Sequence, residues 1–308
     1  MVRPVLRDDG RSATGARAVT AKEERMTTHG KGTGGGRERM PHFRQSWNDL
    51  TDRRGVQPTV AYAVSLLLLL ALWQIASMVV RTVYGNPFLP APYAVFTQMI
   101  RNASGLGWDF LLTGWRLVLS ILIALAVGVP VGLAIGHERV LDRYVSPMIY
   151  IIYPIPQVAL ILFLFLLFGT GNATKVALVT LVLFFQIVVS ARGAAKNLPQ
   201  EHLTSVRATG ASRWQIYRHV VLPASLPDIL TSVRVGIGLG MALLYIAETQ
   251  SERGGGLGLF ISRKIVFARD TAFAGIVAMA LLGLVLYVLV DALERVLCRW
   301  KYAGRRRR

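Results

Sequence analysis

Six blocks of predominantly apolar residues, each about 16 to 25 long, interrupt an otherwise basic sequence, and a helix of that length crosses a hydrocarbon core of roughly 30 Å. Hydropathy places the spans at 58–80, 111–136, 146–169, 174–194, 226–247 and 272–290. The fifth is the weakest, because Arg234 and three glycines dilute it. The expected fold is therefore all-α and integral to a membrane, a bundle of six transmembrane helices. A composition of 53% hydrophobic residues with mean hydropathy +0.45 agrees.

The charge is arranged around these spans. The chain carries 35 Lys and Arg against 17 Asp and Glu, a formal +18. With the N-terminus inside, 26 of the 35 fall in segments that become cytoplasmic and 7 in segments that become external, and without residues 1–57 the split is still 14 to 7. The positive-inside rule then puts both termini in the cytoplasm of a bacterial plasma (inner) membrane, multi-pass. This accounts for the basic balance without nucleic acid, and Arg305–Arg308 would rest against anionic membrane lipid. No apolar stretch precedes residue 58, so no secretory signal is expected, and residues 1–57 read as a disordered basic tail with Met26 and Met40 as alternative starts. Gly30–Gly35 satisfies a dinucleotide-loop pattern, but neither a strand nor a helix flanks it. The single cysteine, Cys298, excludes an intrachain disulfide and a cysteine metal cluster, and at the end of the last helix it has no expected role. Neither a metal site nor a cofactor bound by this chain is expected.

Small residues at four-residue spacing, Gly128, Gly132 and Gly136 in the second span and Gly236 and Gly240 in the fifth, predict close backbone packing between helices. Pro130, Pro154 and Pro156 predict kinks in the second and third spans.

The segment between the fourth and fifth spans is longer than a connection needs. Over 197–223 it reads as two short helices around Gly210: Ser212 is a good N-cap, Trp214, Ile216, Tyr217, Val220 and Val221 recur at helical spacing, and Pro223 is expected to end the second helix. A compact amphipathic helix pair projecting from a membrane face is a docking surface for a cytoplasmic partner.

These residues resemble the coupling loop of type I ABC importer permeases, whose pattern is Glu-Ala-Ala, three residues, Gly, nine residues, Ile-x-Leu-Pro. Here Gly210 is followed by Val220-Val221-Leu222-Pro223, and Ala208–Gln215 is similar to the form found in the nitrate, sulfonate and taurine importer family. Leu89-Pro90-Ala91-Pro92, Tyr153-Pro154-Ile155-Pro156 and Gly255-Gly256-Leu257-Gly258 resemble three further motifs of that family in the same order. The resemblance covers residues 58–301. It departs at Thr204, Ser205 and Val206, which stand where the family has Glu-Ala-Ala; Glu201 matches a separate acidic position.

The resemblance implies a first transmembrane helix and external loop at 58–110, a permease domain at 111–297 with its coupling loop at 196–223, and a basic tail at 298–308. It implies an assembly of cytoplasmic ABC ATPase subunits, an external substrate-binding protein and a second permease copy, with a homodimer as the default. The implied ATPase contacts are Thr204, Ser205, Val206, Gly210, Ala211, Ser212, Arg213, Trp214, Tyr217, Leu222 and Pro223. No Gly-x4-Gly-Lys-Ser/Thr occurs, so the chain is not expected to be an enzyme, and ATP would be hydrolysed by the partner. Gln157, Gln186, Arg234 and Glu248 are candidate path residues, as polar groups in or at the ends of spans. Against that role, Arg234 is expected to snorkel, Gln186 to bond a neighbouring helix, and Trp115 and Arg116 to anchor at the interface. The stretch 248–258 would face the binding protein or cap an outer gate. Intramembrane carboxylates look nearly absent and the five histidines lie outside the spans, which argues against a membrane-embedded enzyme. The cargo expected from the resemblance is a small anion of the nitrate, sulfonate or taurine type; another small solute (a vitamin precursor or an amine) and a non-transporting docking scaffold are the alternatives.

Overall fold

The computed structural model describes residues 58–85, 88–251 and 254–300. The basic N-terminal tail, its glycine-rich stretch and the terminal arginines lie outside these residues. Backbone contacts group Met1–Ser65 and Leu66–Arg308 as separate units, and the described part of the first is the opening of the first helix. The packing below lies within the second.

The described residues form helices and no strands. In order they are α1 Pro58–Tyr84, α2 Pro92–Arg101, α3 Ala103–His137, α4 Arg139–Ile152, a 3-10 turn Gln157–Leu160, α5 Ile161–Phe168, α6 Asn172–Lys196, α7 Gln200–Ala208, α8 Arg213–Ile216, a π-helical turn Tyr217–Val221, α9 Leu222–Thr249, α10 Leu257–Lys264 and α11 Arg269–Leu297. Five segments, including α8–α9 as one, are long and apolar enough to cross a membrane; α4 with α5 makes a sixth if the pair counts as one span.

That pair corrects the expected third span. Instead of one helix over 146–169, the chain bends by 77° between α4 and α5. Pro154 and Pro156 lack the N–H groups a helix would need there, and Tyr153–Gln157 carries the break. Pro130, in contrast, sits inside an uninterrupted α3.

The centre of the bundle is α3 against α6, and the glycines set how closely they approach. A Cβ on Gly132 would lie 2.7 Å from the Val188 carbonyl oxygen and 2.8 Å from Ala191 Cβ; one on Gly136 would lie 2.9 Å from Ala195 Cβ. Where α9 packs on these two helices, a Cβ on Gly236 would meet Leu183 of α6 at 2.8 Å, and one on Gly240 would meet Leu117 of α3 at 2.6 Å. In lipid, where burial of apolar surface cannot drive helices together, such contact is what holds them. Leu117, Leu183, Ile237 and Leu244 form the core between α3, α6 and α9.

Two helices were not foreseen. The segment between α1 and α3 holds α2, started by Pro92 in the first turn, where a missing N–H costs nothing. Trp73 and Ser77 of α1 donate to the carbonyls of Pro90 (3.1 Å) and Leu89 (2.8 Å), fixing the Leu-Pro-Ala-Pro turn ahead of it. α10 follows the glycine run 254–256 and packs on α11, where Gly275 leaves room for Phe260 and Ile261.

Candidate functional site

The two-helix loop forms as expected around Gly210, but it continues into α9. Gly210 has φ +79°, a conformation that only glycine adopts without strain. Ser212 caps α8 with a reciprocal box: Gln215 N–H donates to Ser212 Oγ at 3.3 Å, and Ser212 N–H donates to Gln215 Oε1 at 2.8 Å. Pro223 does not end the second helix. The π-helical turn Tyr217–Val221 intervenes, and Pro223 falls in the first turn of α9, where proline is tolerated.

This loop has a buried side and an open side. Leu203, Ile216 and Val221 pack with Leu133, Ala191, Ala195 and Ile229, joining α7 and α8 to α3, α6 and α9. The Tyr217 hydroxyl donates to the Pro130 carbonyl at 3.3 Å. The open side carries Thr204, Ser205, Gly210, Ser212, Arg213 and Trp214. Val206, Ala211, Leu222 and Pro223 are half-buried behind it. Trp214 is 67% exposed and stacks on Tyr217, 5.9 Å between ring centroids. An exposed tryptophan on a pinned helix suits a partner's pocket. Next to the loop, a polar cavity of about 590 Å³ is lined by Glu138, Asp142, Lys196 and Arg207. There Asp142 ties α4 to α6 through Arg192 (2.5 Å) and Lys196 (2.8 Å).

At the opposite end of the bundle the structure overturns the interfacial reading of Arg116. Its side chain is wholly buried and paired with Glu248 of α9 at 2.5 Å, while its neighbour Trp115 is exposed. Arg116 also donates to Asn172 Oδ1 and to the carbonyls of Gly254 and Gly255. The Glu248 carboxylate accepts from Thr113 Oγ1 and from Gly258 N–H, and Asp109 accepts from Gly256 N–H. The stretch 254–258 is thus folded down over a buried charge pair. Glycine is required at 256, where φ is +115° and a Cβ would strike both members of the pair.

Arg234 does not snorkel either. It bonds Asp291 and Glu294 of α11, each at 2.6 Å, and its guanidinium lies over the Tyr287 ring. Both carboxylates lie in the last turns of α11, which extends to Leu297, beyond the expected 290. Gln186 donates to the Ser232 carbonyl of α9 at 3.1 Å, and Gln157 donates to the Tyr153 carbonyl at 3.3 Å. Of the four candidate path residues, then, Gln186, Arg234 and Glu248 join helix to helix, while Gln157 stands at the break between α4 and α5. Sequence reasoning missed Thr113, Asn172, Asp142, Asp291 and Glu294. The legible signal was opposite charge at matching depth: Arg116 lies near the start of its span and Glu248 at the end of an antiparallel one.

The family described as "Binding-protein-dependent transport system inner membrane component" matches residues 124–298, most of the bundle from α3 to α11. The chain belongs to this family. Among relatives of this permease, the taurine transport system permease protein TauC of Escherichia coli (strain K12) is 30% identical over 252 residues, covering 79% of this chain and 90% of TauC. The riboflavin transport system permease protein RibX of Chloroflexus aurantiacus is 32% identical over 79% of this chain and 91% of its own length. The putative aliphatic sulfonates transport permease protein SsuC of Escherichia coli (strain K12) is 31% identical over 76% of this chain and 89% of its own. The permease also shares its fold with a solved chain of the MetNI methionine ABC transporter in an inward-facing conformation. The TM-score is 0.56 at 21% identity, over 63% of this chain and 97% of that one.

Proposed function

We propose that this permease spans the inner membrane six times with both termini cytoplasmic, and pairs with a second copy to form the translocation path for a small solute. In this reading, cytoplasmic ABC ATPases dock on the 196–223 loop and hydrolyse the ATP, and an external binding protein delivers the cargo. The observation that carries it is the loop: an exposed Trp214 and Arg213 on a capped helix, fastened by Leu203, Ile216 and Tyr217 to α3, α6 and α9. Displacement of such a lever moves three transmembrane helices together. ATP can drive transport through it only by binding two states of the assembly unequally. The missing signature glutamate at Thr204 leaves apolar and cation–π contact from Trp214 and Arg213 as the main anchors.

For the cargo we favour a small anion of the taurine or sulfonate kind. This rests on the names of two relatives, because Arg116 and Arg234 are each neutralised by carboxylates. The riboflavin permease, similar at 32% identity, favours a vitamin-like solute as the second reading. The test is co-purification of candidate ATPases with the wild type and with Gly210→Pro. Proline cannot adopt φ +79°, so docking should be lost while the bundle stays folded. If no ATPase binds the wild type, the reading fails.

A further inference from the structure

The broken span holds the feature that best locates the path. α4 and α5 touch α6 at two levels. Near one end, Ile149 packs with Val188 and Ile135; near the other, Ile161 packs with Leu178 and Ala247. Residues 153–157 therefore cross α6 between Leu178 and Val188, close to the middle of Asn172–Lys196.

At that depth the backbone is not helical. Proline at 154 leaves the Tyr150 carbonyl without its i→i+4 donor, and the Ile152 carbonyl is met instead by Ile155 N–H at 3.0 Å. Gln157 turns its amide back on the Tyr153 carbonyl. Among the described residues this break stays largely open, with Tyr150 56% exposed, Tyr153 46% and Ile155 48%, and Gln157 half-buried. Irregular backbone is tolerated within a membrane where it is buried in protein or lines water, and not against lipid, because each unmet group costs several kcal/mol there. The exposed face of α1, around Leu69 and Leu72, has no such break and can face lipid freely.

We infer that the Tyr153–Gln157 break lines the aqueous translocation path at mid-membrane, facing a second copy of this chain, and that cargo passes over Tyr153, Ile155 and Gln157. Discontinuous helices at the midplane offer backbone dipoles and freed carbonyls to a solute. This rests on the importer reading above, and specifies which surface the cargo meets.

The test is thiol accessibility in the full chain with its ATPases, in membrane vesicles, using a charged, water-soluble methanethiosulfonate. Ile155→Cys and Tyr153→Cys are compared with Leu69→Cys on α1; the wild type, whose Cys298 is buried, is the blank. A thiol in apolar surroundings is held protonated and unreactive, so the two break positions should react at least about tenfold faster than Leu69→Cys. Equal rates at the three positions overturn the assignment and place the break in a dry seam or against lipid. ATPase co-purification is scored on the same vesicles. Slow labelling with the ATPase still bound defeats the path assignment alone, whereas loss of ATPase from every form defeats the importer reading.

Discussion

Arg116 Nη1 and Glu248 Oε1 meet at 2.5 Å in a site with no solvent exposure, 132 residues apart in sequence. Removing one partner leaves an uncompensated buried charge, which costs roughly 3–5 kcal/mol. Glu248→Gln and Arg116→Met should each lower the apparent melting temperature of the detergent-purified protein markedly. Arg116→Met/Glu248→Gln should lose less than the sum of the two, because neither charge is then left alone. Strict additivity would show that the pair does not act as a unit.

The glycines of α3 and α9 divide by what surrounds them. Gly132→Ala places a methyl 2.7 Å from a backbone oxygen and 2.8 Å from Ala191 Cβ, so α3 and α6 must separate. The cost should be about 1–3 kcal/mol. Gly238, in the same helix as Gly236, has nothing within 4 Å of its would-be Cβ, and Gly238→Ala should be neutral or stabilise by about 0.5–1 kcal/mol. Thermal unfolding of the pair in one detergent checks this, and equal effects would refute the close-packing account.

In the coupling loop, fold and docking separate. Gly210→Ala meets open space but must hold φ +79°, a strain of roughly 1–2 kcal/mol. Ser212→Ala removes a cap worth about 1 kcal/mol. Trp214→Ala removes an exposed ring, so it should leave the melting temperature nearly unchanged while ATPase co-purification drops. If Trp214→Ala unfolds the protein and leaves docking intact, the open side of the loop has been misassigned.

What the sequence showed and what it hid follow from the range of the interactions. The spans and the Gly210–Ser212 turn are local: apolar runs, a positive φ and a cap each declare themselves within a few residues. Gly132 and Gly136 announced close packing but not their partners in α6. Pro154 and Pro156 announced a kink, yet hydropathy averages over a 77° break as readily as over a straight helix. Arg116 and Arg234 were misread because a lone cation in an apolar run is ambiguous until its carboxylate is placed across the bundle, and α9 and α11 supply those carboxylates. Pro223 looked like a terminator because the π-helical turn that admits it leaves no mark in the residue pattern.

The same ambiguity gives a decisive test for Arg234. One guanidinium nitrogen bonds Asp291 and another bonds Glu294, each at 2.6 Å, a fork that the single ammonium of lysine cannot reproduce at both distances. Arg234→Lys should therefore destabilise the α9–α11 contact, and Arg234→Gln should do so further, since it removes the cation that bridges Asp291 and Glu294 and leaves the Arg295 pair of Asp291 within α11 alone. With Arg234 acting between helices, both variants should lower folded yield and melting temperature while the transported fraction keeps its preference among cargoes. A folded Arg234→Gln protein that loses uptake of anions but retains uptake of neutral solutes would return Arg234 to the path as an anion ligand, and Asp291 and Glu294 would then be the groups that the cargo displaces.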